Sequence, residues 1–386
     1  MKVLHILKTS TGASWAYNQI KELAKQNIDI IVMLPNSKIG FAKKYRELNI
    51  QVIEYDASLP IKKPWKLINK CKEFRKIVSD IKPDIIQCHF VINIMFVRIA
   101  LRNMNIPRIF QVPGPLHLEN IFFKYAEILT SNEQDYWVGS CTKTCDIYKK
   151  SNISEERIFF GIYTNSDLDK CVELSKRTGK IRKELDIDEE TFVIGMVSYF
   201  YKPKYHLLQF TGIKGHEDFI KAFKMLKNIV DRKIVAIICG GPALNAEKYM
   251  KKVEKMAHRY CGNDIYFTGF RQDIKEIYPD FDLVVHPSRS ENHGGAGESI
   301  ALGVPTLTSD TGGFPDIIKE GQTGYMFKTG NYKDMAYKMK YIIENYDEAK
   351  KVTRQGQKYV SIINSKLSAT QIKDIYNKII ESRKNQ

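Results

Sequence analysis

Residues 282–305 read DLVVHPSRSENHGGAGESIALGVP, an apolar strand that continues into a glycine-rich loop and a short helix. Glycines let a backbone approach a ligand closely, and the free N–H groups at a helix start favour anions such as phosphate. Glu291 and Glu298 stand on either side of the loop. Two carboxylates flanking a phosphate-type loop indicate a ligand that joins a nucleotide to a sugar.

The same alternation of short apolar runs and helical periodicity extends over most of the chain. It predicts βαβ units and parallel sheets. Strands are predicted at Val3–Leu7, Ile30–Leu34, Gln51–Tyr55, Ile85–His89, Arg108–Val112, Tyr136–Val138, Phe192–Val197, Ile234–Cys239, Ile265–Thr268, Leu283–His286 and Thr306–Thr308. Helices are predicted near 14–25, 39–48, 64–80, 91–104, 142–151, 216–229, 245–259, 273–278, 297–302, 331–345, 347–362 and 368–384.

This order of elements predicts an α/β protein with two doubly wound, Rossmann-like domains in series. The first domain covers 1–165, a polar connection covers 166–190, and the second domain covers 191–364. Ligands of open parallel sheets bind beyond the carboxyl ends of the strands. Two such domains that face each other would enclose a cleft, so the residues that follow each strand are the candidates for function.

The composition of the 386 residues is that of a folded protein, with 43% hydrophobic and 27% charged residues. No segment approaches the ~20 apolar residues of a membrane helix. Lys8 ends the first apolar run early, which favours a buried strand over a signal peptide. The seven cysteines form no CxxC pair and are expected to be free thiols in a reducing cytoplasm.

The charge of the chain is strongly basic, at +16, and residues 1–185 carry 30 basic against 19 acidic side chains. Nucleic acid, an anionic membrane surface or phosphorylated ligands would suit such a charge. No nucleic-acid-binding motif is present, which argues against the first of these. A basic segment that contains Trp65 and runs from Ile61 to Lys76 could rest on an anionic bilayer. An ordinary solvated helix is the alternative.

The run Ser290–Pro305, followed by TLTSDTGGFPD at 306–316, resembles the donor-binding segment of the GT-B retaining glycosyltransferases of family 4, in the form found in bacterial surface-polysaccharide assembly. The resemblance extends from Ile194 to about Phe327 and is weak in the first half. It implies two facing Rossmann-like domains, with the helix at 365–386 packing back on the first.

The resemblance also implies an activity. The enzyme would move a sugar from a UDP- or GDP-linked donor to a glycan or polyprenyl-linked saccharide acceptor. The product would be a capsule, an exopolysaccharide or an O-antigen. The reaction would need no resident cofactor and no metal, and it would take place in the cytoplasm, at the inner face of the cell membrane.

The glycine-rich loop receives its roles from the same resemblance. Glu298 would bind the donor ribose, and Glu291 would hold the donor sugar together with the residues that follow it, Asn292, His293, Gly294 and Gly295. Six residues separate the two glutamates, where the family has seven. We interpret this as a loop one residue shorter with Glu291 in the family role. The alternative is a changed sugar contact, because Ser290 occupies the family position.

A basic pair that neutralises the leaving diphosphate is the second family signature. Its lysine matches Lys214 in GIKGHED, residues 212–218, but Tyr199 stands where the arginine is expected. Lys202 and Lys204 are the candidate substitutes. In the first half, His117 follows a strand and matches a family histidine that touches the donor sugar better than His89 does.

The remaining candidates follow other strands. Gly12 lies in a loop after the first strand and is expected near donor phosphate or acceptor, while Gly269 and Arg271 are expected near the base. Two Asp-x-Asp motifs, at 167–169 and 186–188, lie in the polar connection rather than after a core strand. We therefore predict no metal site there.

Three other functions remain as alternatives. A dehydrogenase is disfavoured because neither half has a GxGxxG after its first strand. A sugar-nucleotide epimerase of GT-B shape would convert the donor without an acceptor. A basic nucleic-acid-binding protein would show a steep salt dependence of oligonucleotide affinity.

Overall fold

The computed structural model describes residues 1–163, 168–205 and 209–384. Their contacts divide the chain into two compact units, Met1–Ser166 with Asn364–Gln386, and Asp167–Ile363. Each unit is a parallel sheet with helices on both faces. Within the described part of the chain, no helix has both the length and the apolar character needed to cross a bilayer.

The first unit contains a seven-stranded parallel sheet in the order β3-β2-β1-β4-β5-β6-β7. The central strands are mostly apolar on both faces because helices cover both sides, although they also bury the polar side chains of His5, Gln87 and Gln111. The strands are β1 (Lys2–Ile6), β2 (Asp29–Leu34), β3 (Gln51–Glu54), β4 (Ile85–Cys88), β5 (Arg108–Val112), β6 (Asp135–Gly139) and β7 (Ile158–Phe160).

In the residues that the structure describes, seven helices cover this sheet, and one of them buries Cys71, Phe74 and Val78 as an apolar stripe at helical spacing. They are α1 (Ser14–Ala24), α2 (Phe41–Glu47), α3 (Leu67–Ile81), α4 (Val91–Ala100), α5 (Ile121–Leu129), α6 (Thr142–Lys149) and α16 (Ser365–Lys384). One hydrophobic core joins α3, α4, α5 and α6 to the sheet, and a second core joins α1, α2 and α16 to its other face.

The last helix, α16, completes the first unit although it lies at the far end of the sequence. The Gln19 Nε2 group donates to Ser368 Oγ at 2.9 Å, and Ser368 Oγ donates to the Ile162 carbonyl at 2.5 Å. The side chains of Ile372 and Tyr376 are fully buried in the core that α1 shares. The chain thus returns to its first unit after building the second.

The second unit contains a six-stranded parallel sheet in the order β10-β9-β8-β11-β12-β13. Its strands are β8 (Phe192–Val197), β9 (Ile234–Cys239), β10 (Ile265–Gly269), β11 (Leu283–His286), β12 (Thr306–Ser309) and β13 (Tyr325–Phe327). Its helices are α7 (Leu168–Val172), α8 (Lys180–Glu184), α9 (His216–Lys227), α10 (Glu247–Cys261), α11 (Ile274–Ile277), α12 (Ala296–Ala301), α13 (Phe314–Ile317), α14 (Tyr332–Glu344) and α15 (Tyr346–Val360).

The segment predicted as a connection, 166–190, packs into the second unit where the structure describes it. Arg182 is buried and its Nη2 donates to Asp282 Oδ2 at 2.6 Å, immediately before β11. The carboxylate of Asp280 accepts from the backbone N–H groups of Thr178 and Gly179 at 2.7 and 2.6 Å. These bonds fasten α8 and its N-terminal turn beneath the sheet that carries the glycine-rich loop.

Candidate active site

Two glycines position the loop that follows β11. Gly215 has φ +75°, and a Cβ there would lie 2.0 Å from the carbonyl oxygen of Pro287. Gly312 has φ +60°, and a Cβ there would lie 1.7 Å from the carbonyl oxygen of Glu291. Only glycine fits at either position. The turn before α9 and the turn after β12 therefore close on the same loop from two sides.

Backbone hydrogen bonds reinforce this arrangement. The Arg289 N–H donates to the Ile213 carbonyl at 2.7 Å, and the Gly313 N–H donates to the Asn292 carbonyl at 3.0 Å. Lys214 lies between Ile213 and Gly215 in the sequence. Because both of these residues contact the loop after β11, the Lys214 side chain lies close to that loop. Segments distant in sequence meet here at the carboxyl ends of β8, β11 and β12.

Lys214 and Glu291 form an ion pair at this meeting point. Glu291 also accepts from Ser288 Oγ at 3.1 Å and from the Asn292 N–H at 3.2 Å. Burial acts to raise the pKa of the Glu291 carboxyl, but Lys214 and these hydrogen bonds outweigh it and hold the pKa below its ordinary value. Glu291 is therefore ionised at neutral pH, and the two side chains remain 14% and 21% exposed.

A small pocket of about 30 Å³ lies beside the pair. Its lining includes Ser198, Lys214, His286, Ser288, Glu291 and Gly295. A volume of this size admits one water-sized group. The wall offers a cation suited to phosphate and a carboxylate suited to a hydroxyl group, side by side.

His286 is a member of this site that the sequence did not identify. It ends β11, is buried, and its Nε2 lies 3.1 Å from Ser299 Oγ. Burial lowers the pKa of its imidazole to about 4, so the ring is neutral at pH 7. A Cβ on Gly295 would lie 3.2 Å from His286 Cε1, so the ring supports the floor of the loop. A histidine within the apolar run DLVVH was the available signal.

The predicted donor residues Asn292 and His293 each contain a buried polar atom without a hydrogen bond. These atoms are Asn292 Oδ1 and His293 Nε2, and neither has a hydrogen-bond partner among the described residues. The Nε2 atom of His293 lies 3.8 Å from Asp316 Oδ2. An unsatisfied buried polar atom is costly, so both atoms are available to a ligand at little further cost.

Glu298 occupies the first turn of α12, where a carboxylate is favoured by the helix dipole. Glu298 is half-buried. Burial of the Tyr278 hydroxyl is the main cause that raises its pKa, and the negative charge of Glu298 is the second. The Tyr278 Oη atom would lie 3.1 Å from a Cβ on Gly295. Glu298 and the glycine-rich loop therefore share one neighbour, Tyr278. Gly294, with φ +51°, lies against the Glu291 side chain, since a Cβ there would be 3.1 Å from the carboxyl carbon.

The candidates for replacing the family arginine lie on the segment after β8. Lys202 and Lys204 are exposed, and neither forms an ion pair with a described residue. Tyr199 is partly exposed and stacks near Phe270 at a ring distance of 6.2 Å. Lys214 Nζ lies 5.9 Å from the centre of the Tyr201 ring, which brings this segment to the ion pair.

Gly269 and Arg271 are the two residues that are predicted to lie near the base. Gly269 is the last residue of β10, and Arg271 follows that strand. Gly269 has φ +67° and open space where a Cβ would lie. Arg271 donates from Nη1 to Glu184 Oε1 at 2.6 Å and from Nε to Asp273 Oδ1 at 2.9 Å. Its guanidinium therefore ties the end of β10 to α8, and contact with a base stays a prediction.

Three candidates lie in the first unit. Gly12, with φ +78°, has open space at its Cβ position in the loop after β1. His117 has a buried Nε2 without a hydrogen-bond partner among the described residues, and burial lowers the pKa of its ring to about 4. His89 is fully buried between His5 Nδ1 at 3.0 Å and Tyr163 Oη at 2.5 Å. His117 thus has a free ring nitrogen and His89 does not.

The Asp-x-Asp motif at 186–188 lies within the described residues, and the motif at 167–169 lies within them only in part. No group of three or more His, Cys, Asp or Glu side chains able to hold a metal occurs among those residues. Asp188 accepts from Thr191 Oγ1 at 2.6 Å and pairs with Lys233. Asp167 lies outside the described residues.

Sequence comparison relates both halves of the chain to glycosyl transferases. Residues 177–359 match the family described as glycosyl transferases group 1, and residues 3–116 match the family described as glycosyl transferase 4-like. The capsular polysaccharide biosynthesis glycosyltransferase CapM of Staphylococcus aureus is 22% identical, over 98% of both chains. The chain spans 30% to 58% of the length of four other curated relatives.

Solved structures give the same architecture. HepE of Anabaena, in complex with UDP, matches 98% of this chain and 100% of its own with a TM-score of 0.78 at 18% identity. The UDP-GlcNAc 2-epimerase of Neisseria meningitidis, bound to UDP-GlcNAc, matches 98% of this chain and 100% of its own with a TM-score of 0.59 at 16% identity.

Proposed function

Because this chain has the GT-B fold and its two halves match glycosyl transferase families, we propose that it transfers a sugar from a nucleotide-sugar donor with retention of anomeric configuration. The acceptor is a glycan or a polyprenyl-linked saccharide, and the product is a bacterial capsule, exopolysaccharide or O-antigen. The full-length match to a capsular polysaccharide glycosyltransferase supports this choice of pathway class.

The Lys214–Glu291 pair is the observation that carries the proposal. A departing nucleoside diphosphate gains negative charge, and a fixed cation in a confined site stabilises that charge. Lys214 supplies the cation, with Lys202 and Lys204 as further positive charges on the same side of the sheet. Glu291 accepts hydrogen bonds from the donor sugar, beside the unsatisfied Asn292 Oδ1 and His293 Nε2.

The rest of the donor extends from this pair. Glu298 accepts from the ribose hydroxyls at the start of α12, and Gly294 and Gly295 let the backbone approach the ligand. Gly269 and Arg271 lie towards the base, and Gly12 and His117 of the first unit bind donor or acceptor groups. The neutral imidazole of His117, whose pKa burial lowers to about 4, offers its free Nε2 to a sugar hydroxyl.

We propose that the reaction uses no metal and no resident cofactor, with Lys214 in place of a metal ion. The donor is UDP- or GDP-linked, and the UDP complex of a protein with this fold favours UDP. A polyprenyl-linked acceptor would place the enzyme in the cytoplasm at the inner face of the cell membrane.

The test is to follow a panel of UDP- and GDP-sugars by proton NMR with the purified chain, with and without a polyprenyl-linked saccharide. The proposal predicts release of nucleoside diphosphate that depends on the acceptor, and an α-linked product from an α-linked donor. Conversion of the donor to another nucleotide-sugar without acceptor would replace the proposal with an epimerase. An inert panel together with salt-dependent oligonucleotide binding would replace it with a nucleic-acid-binding protein.

A matched pair of variants connects the test to the site. Glu291→Gln should abolish most of the release, whereas Glu320→Gln should leave it intact. Glu320 pairs with Lys338 in the same unit, and that pair is more exposed than the Lys214–Glu291 pair. Equal activity of the two variants would remove Glu291 from the reaction.

A further inference from the structure

Helix α5 has an inverted distribution of polar and apolar side chains. A helix on the surface of a protein in water normally buries its apolar side chains and exposes its charges. In α5 the carboxylate of Glu127 is fully buried, while Ile121, Phe122 and Leu129 are 70%, 71% and 77% exposed. The outer side of this helix is suited to an apolar environment.

The buried side of α5 is held by a network of polar contacts. Glu127 pairs with Arg98 and accepts from Trp137 Nε1 at 2.9 Å and from Tyr148 Oη at 3.1 Å. A buried carboxylate with all of these partners fixes the rotation of the helix about its axis. The exposed apolar side chains are therefore presented in a defined direction.

A second exposed apolar group lies just before and within the first turn of α3. Ile61, Trp65 and Ile68 are 67%, 71% and 69% exposed. They alternate with the exposed lysines Lys62, Lys63 and Lys66, none of which forms an ion pair with a described residue. An open groove of about 990 Å³ separates this segment from Ile92 at the start of α4.

Both groups lie on one side of the first unit. Helices α3, α4 and α5 share the hydrophobic core on the same face of the sheet, and Arg98 of α4 holds Glu127 of α5. The start of α3, with Ile61, Trp65 and Ile68, follows β3. The start of α5, with Ile121 and Phe122, follows β5, whereas Leu129 lies at the other end of α5. The two helix starts are therefore near the carboxyl edge of that sheet, where the acceptor is expected.

We propose that this face of the first unit, defined by Ile61, Trp65, Ile68, Phe122 and Leu129, binds the surface of an anionic lipid bilayer. The apolar side chains enter the interface between headgroups and acyl chains, and Lys62, Lys63 and Lys66 lie against lipid phosphates. Unpaired lysines beside exposed aromatic and aliphatic side chains fit a surface that is anionic outside and apolar beneath. The proposal deepens the proposed function, since it supplies the surface on which a polyprenyl-linked acceptor is met.

The test is cosedimentation of the full chain with phosphatidylcholine vesicles that contain or lack phosphatidylglycerol. The expected result is binding to the anionic vesicles, together with a blue shift of tryptophan fluorescence that Trp65→Phe removes. Trp65 is the one exposed tryptophan of three, all within the described residues.

Two sets of variants separate the contributions of the face. Phe122→Ser with Leu129→Ser should weaken binding by about a hundredfold or more through lost apolar burial. Lys62→Gln with Lys63→Gln and Lys66→Gln should weaken it about a hundredfold, at about 1 kcal/mol for each lysine. The matched control is Leu244→Ser, which removes a leucine that is 89% exposed in the second unit and should bind as the wild type does. Unchanged melting temperatures would show that the variants fold.

Three results would overturn the proposal. They are no binding to anionic vesicles, binding that Phe122→Ser with Leu129→Ser leaves unchanged, and a dimer in sedimentation velocity that the same double variant dissociates. The last result would assign the face to a second copy of the chain. Because donor binding in solution does not involve this face, donor titrations of the same variants distinguish failure here from failure of the proposed function.

Discussion

The two units each contain a glutamate paired with a cation, and the pairs differ in what surrounds them. Glu127 in the first unit is fully buried, and its partners Arg98, Trp137 and Tyr148 all belong to the protein. Glu291 in the second unit remains partly exposed beside a small pocket, and Lys214 reaches it from a glycine-bounded turn. An ion pair alone therefore does not identify a functional site. The pair in the second unit is distinguished by the pocket and the glycines that lie beside it.

The largest expected effect concerns the pair in the first unit. Arg98→Ala leaves Glu127 and Asp135 buried without their shared partner, since Arg98 Nε also lies 3.1 Å from Asp135 Oδ1. We expect a loss of about 3–5 kcal/mol in the free energy of unfolding. Urea denaturation measures it, with Lys338→Ala as the control. Loss of the exposed Lys338–Glu320 pair should lower the free energy of unfolding by no more than about 1 kcal/mol. Similar losses of stability in both variants would contradict the expectation that the buried pair contributes more than the exposed one.

The second prediction concerns the pair in the second unit. Glu291→Gln keeps the shape of the side chain and most of its contacts but leaves the Lys214 cation without its charged partner, so the free energy of unfolding should fall by about 1–3 kcal/mol, less than for Arg98→Ala. Acceptor-dependent turnover should fall by about a hundredfold, the loss typical when one fixed polar group that stabilises a transition state is removed. Steady-state rates and urea denaturation on one preparation measure both. If Glu291→Gln lowered stability but left turnover unchanged, Glu291 would have a structural role like that of Glu127 and no role in the reaction.

The third prediction uses the histidine beside each pair. Burial lowers the pKa of both His117 and His286 to about 4, from an ordinary value of 6.5. As the pH falls below about 6.5 the unfolded chain takes up protons first, so stability is full above that pH and is lost towards pH 4. The free energy of unfolding should fall by about 2 kcal/mol for each histidine between pH 7 and pH 5. His286→Asn should flatten the pH dependence of unfolding by that amount, and parallel curves for wild type and variant would contradict the assignment.

Much of the fold could be predicted from apolar runs alone. All eleven predicted strands are present with bounds that differ by one residue at most, and the predicted fold class is confirmed. Two strands were missed, β7 and β13, and each is a three-residue edge strand with too few residues to show a pattern. Helix α5 was missed for a different reason. Its buried position is Glu127 and its exposed positions are apolar, so the usual reading of periodicity fails.

The site was less predictable because its contacts join distant parts of the sequence. Lys214 and Glu291 are 77 residues apart, and they are brought together by the approach of Gly215 to Pro287 and by the hydrogen bond from the Arg289 N–H to the Ile213 carbonyl. Glu184 lies 87 residues from Arg271, so a local reading could not show that this arginine already has acidic partners. The glycine-rich loop was readable since its glycines and carboxylates are consecutive in the chain.

Calorimetric titration of the chain with UDP and GDP is the direct test of the donor site, with wild type, Lys214→Ala and Lys338→Ala compared at one salt concentration. We expect that one of the two nucleotides binds, that Lys214→Ala weakens its affinity by about tenfold through loss of a charged hydrogen bond, and that Lys338→Ala leaves it unchanged. Binding of neither nucleotide, or equal affinity in Lys214→Ala and wild type, would show that the pocket beside Glu291 is not the donor site.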